Sequence, residues 1–235
     1  MNQTPQMPLD LQFRPALERD DFRVTVSNED AAKFIDLWPQ WDNKIVGLVG
    51  PERCGKSHLA AVWQLRSNAT LIHANELDES RLPELLRNGA VVLEGLDTLE
   101  TPAETALFHL LNLVNEEQSF LLATMREPPA NHDYMLPDLR SRLRAMPLVA
   151  LHSPDDVLLG WVLEKLLADR HIPAEDGLIP YLSKRMERSW KAAEKMVEML
   201  DYASLSGRRR VGVALARELL QQGNTGKEER EKNTL

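Results

Sequence analysis

The chain has 235 residues, of which 43% are hydrophobic, and this is enough for one sizeable apolar core with a small second domain beside it. A net charge of −8 argues against an extended nucleic-acid surface, because contacts to DNA phosphates require clustered Lys and Arg side chains. The single cysteine, Cys54, excludes an internal disulfide framework, the amino terminus lacks a secretory signal pattern, and no apolar run approaches the ~20 residues of a membrane helix. We therefore expect a cytoplasmic protein with no membrane contact, whose partners are mostly proteins.

Residues 1–15 are predicted to be a flexible peptide. In this peptide Gln6 is followed by apolar side chains at Met7, Leu9 and Leu11. An extended peptide of this kind can bind another protein, because the Gln6 amide can form paired hydrogen bonds while the apolar side chains fill pockets. The alternative interpretation is that Leu9 and Leu11 pack on the folded domain.

The first predicted core strand, Ile45–Val49, is followed directly by the sequence GPERCGKS at residues 50–57. Two glycines, a lysine and a hydroxyl at this spacing are typical of a phosphate-binding loop between a strand and a helix. Gly50 and Gly55 are predicted to adopt backbone conformations closed to other residues, so that consecutive N–H groups point inward at an anion. The alternative is an ordinary glycine-rich turn.

The side chains of this loop suit a nucleotide phosphate. Lys56 can reach the β- and γ-phosphates as a point charge, and Ser57 can offer its hydroxyl to Mg²⁺. Positions 51–53 are predicted to be free of constraint. A helix terminus could lower the pKa of the Cys54 thiol and favour its oxidation, although a tolerated residue is the simpler interpretation. The predicted cofactor-binding residues of the loop are Gly50, Arg53, Cys54, Gly55, Lys56, Ser57 and His58.

Short apolar runs alternate with amphipathic stretches, which predicts buried parallel strands separated by helices. The strands are predicted at Ile45–Val49, Thr70–His73, Ala90–Glu94, Phe120–Ala123 and Pro147–Leu151. Thr101 and Glu104 form a capping-box pattern at the start of one intervening helix. Trp38 and Trp41, just before the first strand, could stack on adenine or pack in the core. The alternation predicts a doubly wound α/β domain of the P-loop class, with a five-stranded parallel sheet and its ligand at the carboxyl ends of the strands.

After Leu151 the strand pattern stops and the chain has the periodicity of helices. Residues 153–156 are predicted to cap one of these helices and Ser189 another. The small second domain is therefore expected to be an all-helical lid. The predicted divisions are a flexible peptide at 1–15, a nucleotide-binding α/β domain at 16–152, the helical lid domain at 153–220 and a disordered tail at 221–235.

Glu94 ends the third predicted strand, where an ATPase carries an acidic residue for the Mg²⁺ shell. We predict that Glu94 and Ser57 hold the metal, with a solvent-facing carboxylate as the alternative for Glu94. A second carboxylate usually orients the attacking water, and the next residue here is Gly95, which can orient nothing. Asp97 could substitute only if the turn after the strand brings it round. We therefore expect nucleotide binding with weak or no intrinsic hydrolysis.

The segment Leu136–Leu143, the phosphate loop and the helical lid together resemble the AAA+ core of the DnaA-related family. With the Gln6 peptide, the chain is similar to the Hda-type regulatory inactivators of DnaA within that family. The resemblance implies that Arg142 is an arginine finger, which projects into the nucleotide site of a neighbouring subunit and neutralises charge on the γ-phosphate. The alternative for Arg142 is a surface salt bridge, and Arg140 and Arg144 are interpreted as a solvated face or as supports.

The resemblance also implies bound ADP or ATP with Mg²⁺. It assigns the nucleotide-sensing position of the lid to Lys191, with Arg188 as the alternative. Arg126 lies where the initiator has an acidic residue, and this departure argues further against self-catalysed hydrolysis. By the same resemblance, the DNA polymerase sliding clamp is predicted to bind the peptide through Gln6, Met7, Leu9 and Leu11.

The function implied by the resemblance is negative regulation of chromosomal replication initiation. Held on the sliding clamp, the protein would stimulate ATP hydrolysis by DnaA through Arg142. Direct sequence-specific DNA binding is not expected, because the chain ends shortly after its last predicted helix, where DnaA proteins continue into a DNA-binding domain. The sequence leaves homo-oligomer formation open. The alternatives are an autonomous AAA+ ATPase such as a helicase loader, and a small-molecule kinase, which also uses a phosphate loop.

Overall fold

A single parallel sheet forms the centre of the computed structural model, which describes residues 23–207 and 209–221. The strands are β1 (Ile45–Val49), β2 (Thr70–His73), β3 (Ala90–Glu94), β4 (Phe120–Met125) and β5 (Leu148–Ala150). They pair in the order β2-β3-β4-β1-β5, with every pairing parallel. The predicted five-stranded parallel sheet is confirmed, although β4 extends two residues further than predicted, to Met125. The predicted peptide residues Gln6, Met7, Leu9 and Leu11 lie outside the described residues.

Helices cover both faces of this sheet. Their bounds are α1 (Glu29–Asp36), α2 (Lys56–Ser67), α3 (Leu82–Leu85), α4 (Glu104–Glu116), α5 (Pro137–Ala145), α6 (Asp156–Asp169), α7 (Leu178–Ser183), α8 (Trp190–Gly207) and a last helix at residues 213–221. In β3, Ala90 and Val92 pack on the side of α1 and α2, whereas Val91 and Leu93 pack on the side of α3, α4 and α5. Burial on both faces explains why this strand is a continuous apolar run in the sequence.

Aromatic side chains build the core on the α1 and α2 face. The ring of Trp41 stacks on that of Trp63 with centroids 5.2 Å apart, and on that of Phe34 at 4.7 Å. The Trp41 indole also donates a hydrogen bond of 2.8 Å to the carbonyl of Phe34. Trp38 meets Trp63 edge to face at 6.2 Å. Trp38 and Trp41 therefore pack in the core, and the alternative interpretation, that they stack on adenine, is not supported.

The helical part of the chain has its own apolar cluster, formed by α6, α7, α8 and the last helix. The Asp155 carboxylate caps α6 by accepting a hydrogen bond of 2.7 Å from the Leu158 N–H. The Ser189 hydroxyl caps α8 in the same way, at 3.2 Å from the Ala192 N–H. Both caps follow the predicted pattern. None of the helices in the described part of the chain combines the length and apolar character that a bilayer crossing requires.

Glu104 does not form the predicted capping box. Residues 101–103 form a 3₁₀ turn, α4 begins at Glu104, and neither start has a side-chain cap hydrogen bond. It is buried and accepts hydrogen bonds from the N–H groups of Met135, at 3.0 Å, and Leu136, at 2.9 Å. Leu136 is the N-cap residue of α5, which has no side-chain cap of its own. Glu104 therefore caps α5 from a different helix, where the positive end of α5 favours its charge.

We expect Glu104→Gln to destabilise the protein by about 1–3 kcal/mol, because an amide can accept only with its oxygen and would leave a buried N–H group unpaired. Chemical denaturation followed by circular dichroism measures the change. Glu117→Gln, at the exposed carboxyl end of α4, is the matched control and should leave the unfolding midpoint unchanged. Equal unfolding midpoints for Glu104→Gln and the control would contradict the capping role.

Candidate functional site

A cleft of about 690 Å³ opens at the carboxyl ends of β1, β3 and β4. Four of the residues predicted from the sequence line it, namely Arg53, Lys56, Ser57 and Glu94. The other predicted loop residues, Gly50, Cys54, Gly55 and His58, belong to the same loop and helix start but are not part of the cleft lining. The parallel sheet explains the convergence, because the carboxyl ends of its strands meet at one edge.

Gly50 is required for a different reason from the predicted one. Its N–H donates to the carbonyl of Met125 at 3.2 Å. A Cβ atom at this position would lie 2.3 Å from the carbonyl oxygen of Leu151 and 2.9 Å from the sulfur of Cys54. Gly50 therefore allows close packing of the loop against β4 and β5, whereas Gly55, with φ 108°, occupies a conformation that L side chains rarely adopt.

Arg53 is not free of constraint, which corrects the prediction for positions 51–53. Its φ is 64°, in the left-handed region, which costs a non-glycine residue roughly 1–2 kcal/mol. Its guanidinium lies 3.2 Å from the carboxylate of Glu52, and both side chains line the cleft. The loop thus places a cation at the rim of the cleft at the expense of a strained backbone.

Lys56 is almost fully buried, with 9% of its surface exposed. Its ammonium donates hydrogen bonds to the carbonyls of Gly50, at 2.8 Å, and Pro51, at 2.7 Å. The charge is therefore solvated by loop carbonyl dipoles. Burial raises the pKa of the Cys54 thiol, and the nearby Lys56 charge only partly offsets this. The idea that the helix terminus activates Cys54 is therefore wrong, and Cys54 is a buried packing residue.

Ser57 and Glu94 suit a magnesium ion. The Ser57 side chain is exposed at the start of α2, and the Glu94 carboxylate, with 19% of its surface exposed, faces the same cleft. Mg²⁺ in phosphate sites is held by few protein oxygens, with water and phosphate supplying the rest. The Nδ1 atom of His73 lies 3.7 Å from the Glu94 carboxylate and ties β2 to β3 at this edge. Ser57 and Glu94 therefore match the donor set of a magnesium–phosphate site.

Asp97 reaches the cleft as well, because the 3₁₀ turn Leu96–Thr98 brings it round. The Asp97 side chain is 4% exposed. Its carboxylate accepts two hydrogen bonds from Arg126, one of 3.1 Å from the backbone N–H and one from the guanidinium Nε. Burial alone would raise the pKa of Asp97, but the hydrogen bonds and charge of Arg126 outweigh it and lower the pKa. The second carboxylate of the site is thus present but engaged by a cation.

Thr124 and the Asp97–Arg126 pair are the features of the cleft that sequence reasoning missed. Thr124 is buried near the end of β4, and its hydroxyl accepts a hydrogen bond of 3.1 Å from the Gly95 N–H. This bond joins the carboxyl ends of β3 and β4. A hydroxyl within an otherwise apolar strand was a signal for such a role. Asp97 and Arg126 are also 29 positions apart, and nothing in the sequence around either residue indicates that they pair.

Arg142 lies at the opposite edge of the sheet from the cleft. It is exposed on α5, with its guanidinium carbon 5.1 Å from the centre of the Phe108 ring. It lines a separate cavity together with Lys44 and Ile45, at the amino-terminal start of β1, and with Pro147, just before β5. Because β1 runs from this cavity to the phosphate loop, Arg142 and the chain's own cleft are on opposite ends of one strand.

The lid approaches the phosphate loop through α8. The ring of Trp190 lies 6.1 Å from that of His58 on α2. Lys191, in the first turn of α8, is exposed and is not among the residues that line the cleft. Arg188 pairs with the carboxylate of Asp156 at 2.6 Å. Of the two alternatives for the nucleotide-sensing residue, Arg188 is therefore engaged within the lid and Lys191 is open to solvent.

A scan against models of known protein families finds no match. The fold is similar to that of domain III of the Thermotoga maritima replication initiation protein DnaA, with a TM-score of 0.72, 15% identity and coverage of 89% of this chain and 97% of that one. It is also similar to AMPPCP-bound DnaA from Aquifex aeolicus (TM-score 0.67, 15% identity, 83% and 68% coverage). The RuvB Holliday junction branch migration motor of Thermotoga maritima gives a TM-score of 0.67 at 17% identity, with 87% and 71% coverage. The chain therefore has a DnaA-like AAA+ fold.

The Asp97–Arg126 pair predicts a pH-dependent contribution to stability. Because Arg126 lowers the pKa of Asp97 in the folded protein, the contribution is present above the unfolded pKa of about 3.9 and is lost as the pH falls further. We expect Arg126→Met to be less stable than the wild type at pH 7, with a difference that shrinks below about pH 4. Urea unfolding between pH 7 and pH 3 measures it. Arg87→Met, at an exposed position, is the control, and a difference that stays constant across this range would contradict the assignment.

Proposed function

We propose that this chain is a nucleotide-binding AAA+ protein that acts as a negative regulator of chromosomal replication initiation, by stimulating ATP hydrolysis on the initiator DnaA. The observation that carries the proposal is the division of the molecule into two sites. The phosphate loop and the acidic residues lie at one edge of the sheet, and the exposed Arg142 lies at the other. An arginine so placed cannot serve its own cleft, but it can serve the cleft of a neighbouring molecule.

Nucleotide binding is supported by the form of the cleft. The phosphate loop leads into α2, whose N-terminal N–H groups favour an anion. A phosphate oxygen would replace the loop carbonyls that now accept from Lys56, and Ser57 and Glu94 would hold Mg²⁺. ADP and ATP both fit this donor set. We assign the role of resident ligand to ADP, on the resemblance to the Hda-type regulators.

Weak intrinsic hydrolysis is supported by the residues that would activate water. Gly95 carries no side chain, and its N–H is occupied by the hydroxyl of Thr124. Asp97 has its carboxylate engaged by Arg126 and its pKa lowered, so it is a poor general base. The bound nucleotide would therefore serve mainly to maintain the form of the protein that the partner recognises.

Stimulation in trans requires a cation that reaches the γ-phosphate of the partner. A guanidinium is suited to this role, because it stays charged and can contact two phosphate oxygens at once. Arg142 is exposed, and its guanidinium packs on the Phe108 ring. An aromatic ring does not neutralise the positive charge, which therefore remains available to a partner. By the same resemblance we propose that the Gln6 peptide holds the sliding clamp, which raises the local concentration of the regulator near newly replicated DNA.

An autonomous AAA+ ATPase, such as a helicase loader, is the second candidate. The position of Asp97 favours it, because this carboxylate does line the cleft and would become available if Arg126 released it. Steady-state hydrolysis by the purified protein alone separates the two candidates. Turnover that proceeds without DnaA would favour the autonomous enzyme, whereas hydrolysis that requires DnaA supports the regulator.

Replacing Arg142 with Ala should abolish the stimulation of DnaA hydrolysis while leaving nucleotide and clamp binding unchanged. An arginine finger contributes about 10³-fold or more to the rate, so the loss should be of that order. Single-turnover hydrolysis of ATP on DnaA, in the presence of DNA-loaded clamp, measures it. Arg144→Ala, exposed on the same helix, is the matched control. Equal stimulation by Arg142→Ala and the wild type would refute the finger assignment.

The double substitution Gln6→Ala, Leu9→Ala should abolish binding to the sliding clamp, because it removes both the amide and a pocket-filling side chain. Surface plasmon resonance with immobilised clamp measures the affinity. The double substitution Asn2→Ala, Thr4→Ala lies in the same peptide and should bind as the wild type does. Unchanged affinity of the first variant, or no binding by the wild type, would contradict the clamp assignment and leave the Arg142 experiment unaffected.

A further inference from the structure

The cleft at the phosphate loop is lined by more acidic than basic side chains. The acidic ones are Glu52, Glu76, Glu94, Asp97 and Glu100, and the Lys and Arg side chains are Arg53, Lys56 and Arg126. Phosphates are polyanions, so a free cation beside them strengthens binding and an unbalanced acid weakens it. The nucleotide that this cleft favours therefore depends on which of its charges are already paired.

All three of these basic side chains have polar partners, which differ in charge. The Lys56 ammonium donates to two backbone carbonyls, which are dipoles and leave its full charge in place. The guanidinium of Arg53 lies 3.2 Å from the carboxylate of Glu52. The guanidinium of Arg126 donates from its Nε to the carboxylate of Asp97. Lys56 therefore keeps its charge for a phosphate, whereas the two arginines are neutralised by carboxylates.

The Asp97–Arg126 pair is held more firmly than the Glu52–Arg53 pair. The Asp97 side chain is 4% exposed and accepts a second hydrogen bond, from the Arg126 N–H at 3.1 Å, whereas the Glu52 side chain is 65% exposed and can turn into solvent. Ion pairs open to water are weak and are screened by salt. The Arg126 side chain itself is 55% exposed and lines the cleft, so a ligand can reach it.

The pair belongs to the part of the cleft where a third phosphate would lie. In phosphate-loop sites the loop and its lysine hold the β- and γ-phosphates, and an acid at a strand end holds the metal ion that bridges them. Glu94 is the strand-end acid here, and the turn that contains Asp97 begins two residues after it. Arg126 follows the last residue of β4, Met125, whose carbonyl accepts from the phosphate loop. A diphosphate would leave this part of the cleft to the pair.

We propose that Asp97 makes the cleft selective for a nucleoside diphosphate over a triphosphate, because it neutralises the Arg126 guanidinium. Nucleotide binding is part of the proposed function, on which this assignment rests. An unpaired guanidinium in this position would attract the additional phosphate and favour the triphosphate. With Asp97 in contact, the same position carries one cation and one anion, so the third phosphate gains little there. Asp97 and Arg126 are therefore residues that determine specificity, and they take no part in a chemical step.

Calorimetric titrations with ADP and with AMPPCP, each with magnesium in excess, measure this selectivity. AMPPCP has three phosphates and resists hydrolysis, so it stays a triphosphate during the experiment. We expect the wild type to bind ADP more tightly than AMPPCP. Asp97→Asn should reduce this preference at least about tenfold, because it frees the Arg126 charge and raises the affinity for AMPPCP. Its affinity for ADP should equal that of the wild type, which also verifies that the variant is folded.

Further variants test whether Arg126 is the group that Asp97 neutralises. Arg126→Met leaves the Asp97 charge unbalanced and should strengthen the preference for ADP, and it tests the pair even if Asp97→Asn does not fold. The double variant Asp97→Asn, Arg126→Met removes both charges and should return to within about threefold of the wild-type preference. Glu100→Gln removes an exposed acid from the same lining and should also stay within about threefold.

The outcomes separate this inference from the proposed function. An unchanged preference in Asp97→Asn, or a double variant that keeps the raised affinity for AMPPCP, would overturn the role of Asp97 and leave nucleotide binding intact. If the wild type binds neither ADP nor AMPPCP, nucleotide binding itself is refuted, and the inference fails with it. The hydrolysis assay with Arg142→Ala does not depend on these titrations.

Discussion

The contact of Gly50 with the ends of β4 and β5 is the constraint on which the rest of the site depends. Its N–H bonds to the carbonyl of Met125, and its α-carbon faces the carbonyl of Leu151 too closely for any side chain. This packing fixes where the phosphate loop leaves the sheet and therefore the direction in which α2 begins. Lys56 and Ser57 face the cleft because of that direction, and Glu94 meets them there because β3 ends at the same edge.

One sheet supports two sites of different character. At its carboxyl edge the cleft contains both acids and cations, and the acids there are suited to a metal ion. At its amino edge the cavity around Arg142 has only cations among its charged lining residues. A parallel sheet has chemically distinct edges, because every strand runs in the same direction. In the proposed function, one nucleotide would occupy the cleft and another would be contacted from the opposite end of the strands, without the two sites competing for the same residues.

The sequence predicts the strands of this fold well and its long-range polar contacts poorly. Buried parallel strands are continuous apolar runs, so β1, β2 and β3 have the predicted bounds. Glu104 has the spacing of a capping box, yet it binds N–H groups about 30 positions away, and no local pattern encodes such a pairing. The engagement of Asp97 by Arg126 depends in the same way on the turn after β3 and on the end of β4. Local motifs therefore predict which residues enter the cleft, whereas tertiary packing decides which of them are already paired.

The hydrogen bonds of Lys56 affect the free energy with which the loop would bind a phosphate. The ammonium already has two carbonyl partners in the loop, so an arriving phosphate replaces acceptors and does not add to their number. The free energy gained on binding is then the difference between two interactions of the Lys56 ammonium, one with a full negative charge and the other with two backbone dipoles at similar distances. Because the two carbonyls already satisfy the buried charge, binding of a phosphate in the proposed function would require an exchange of partners more than a change of conformation.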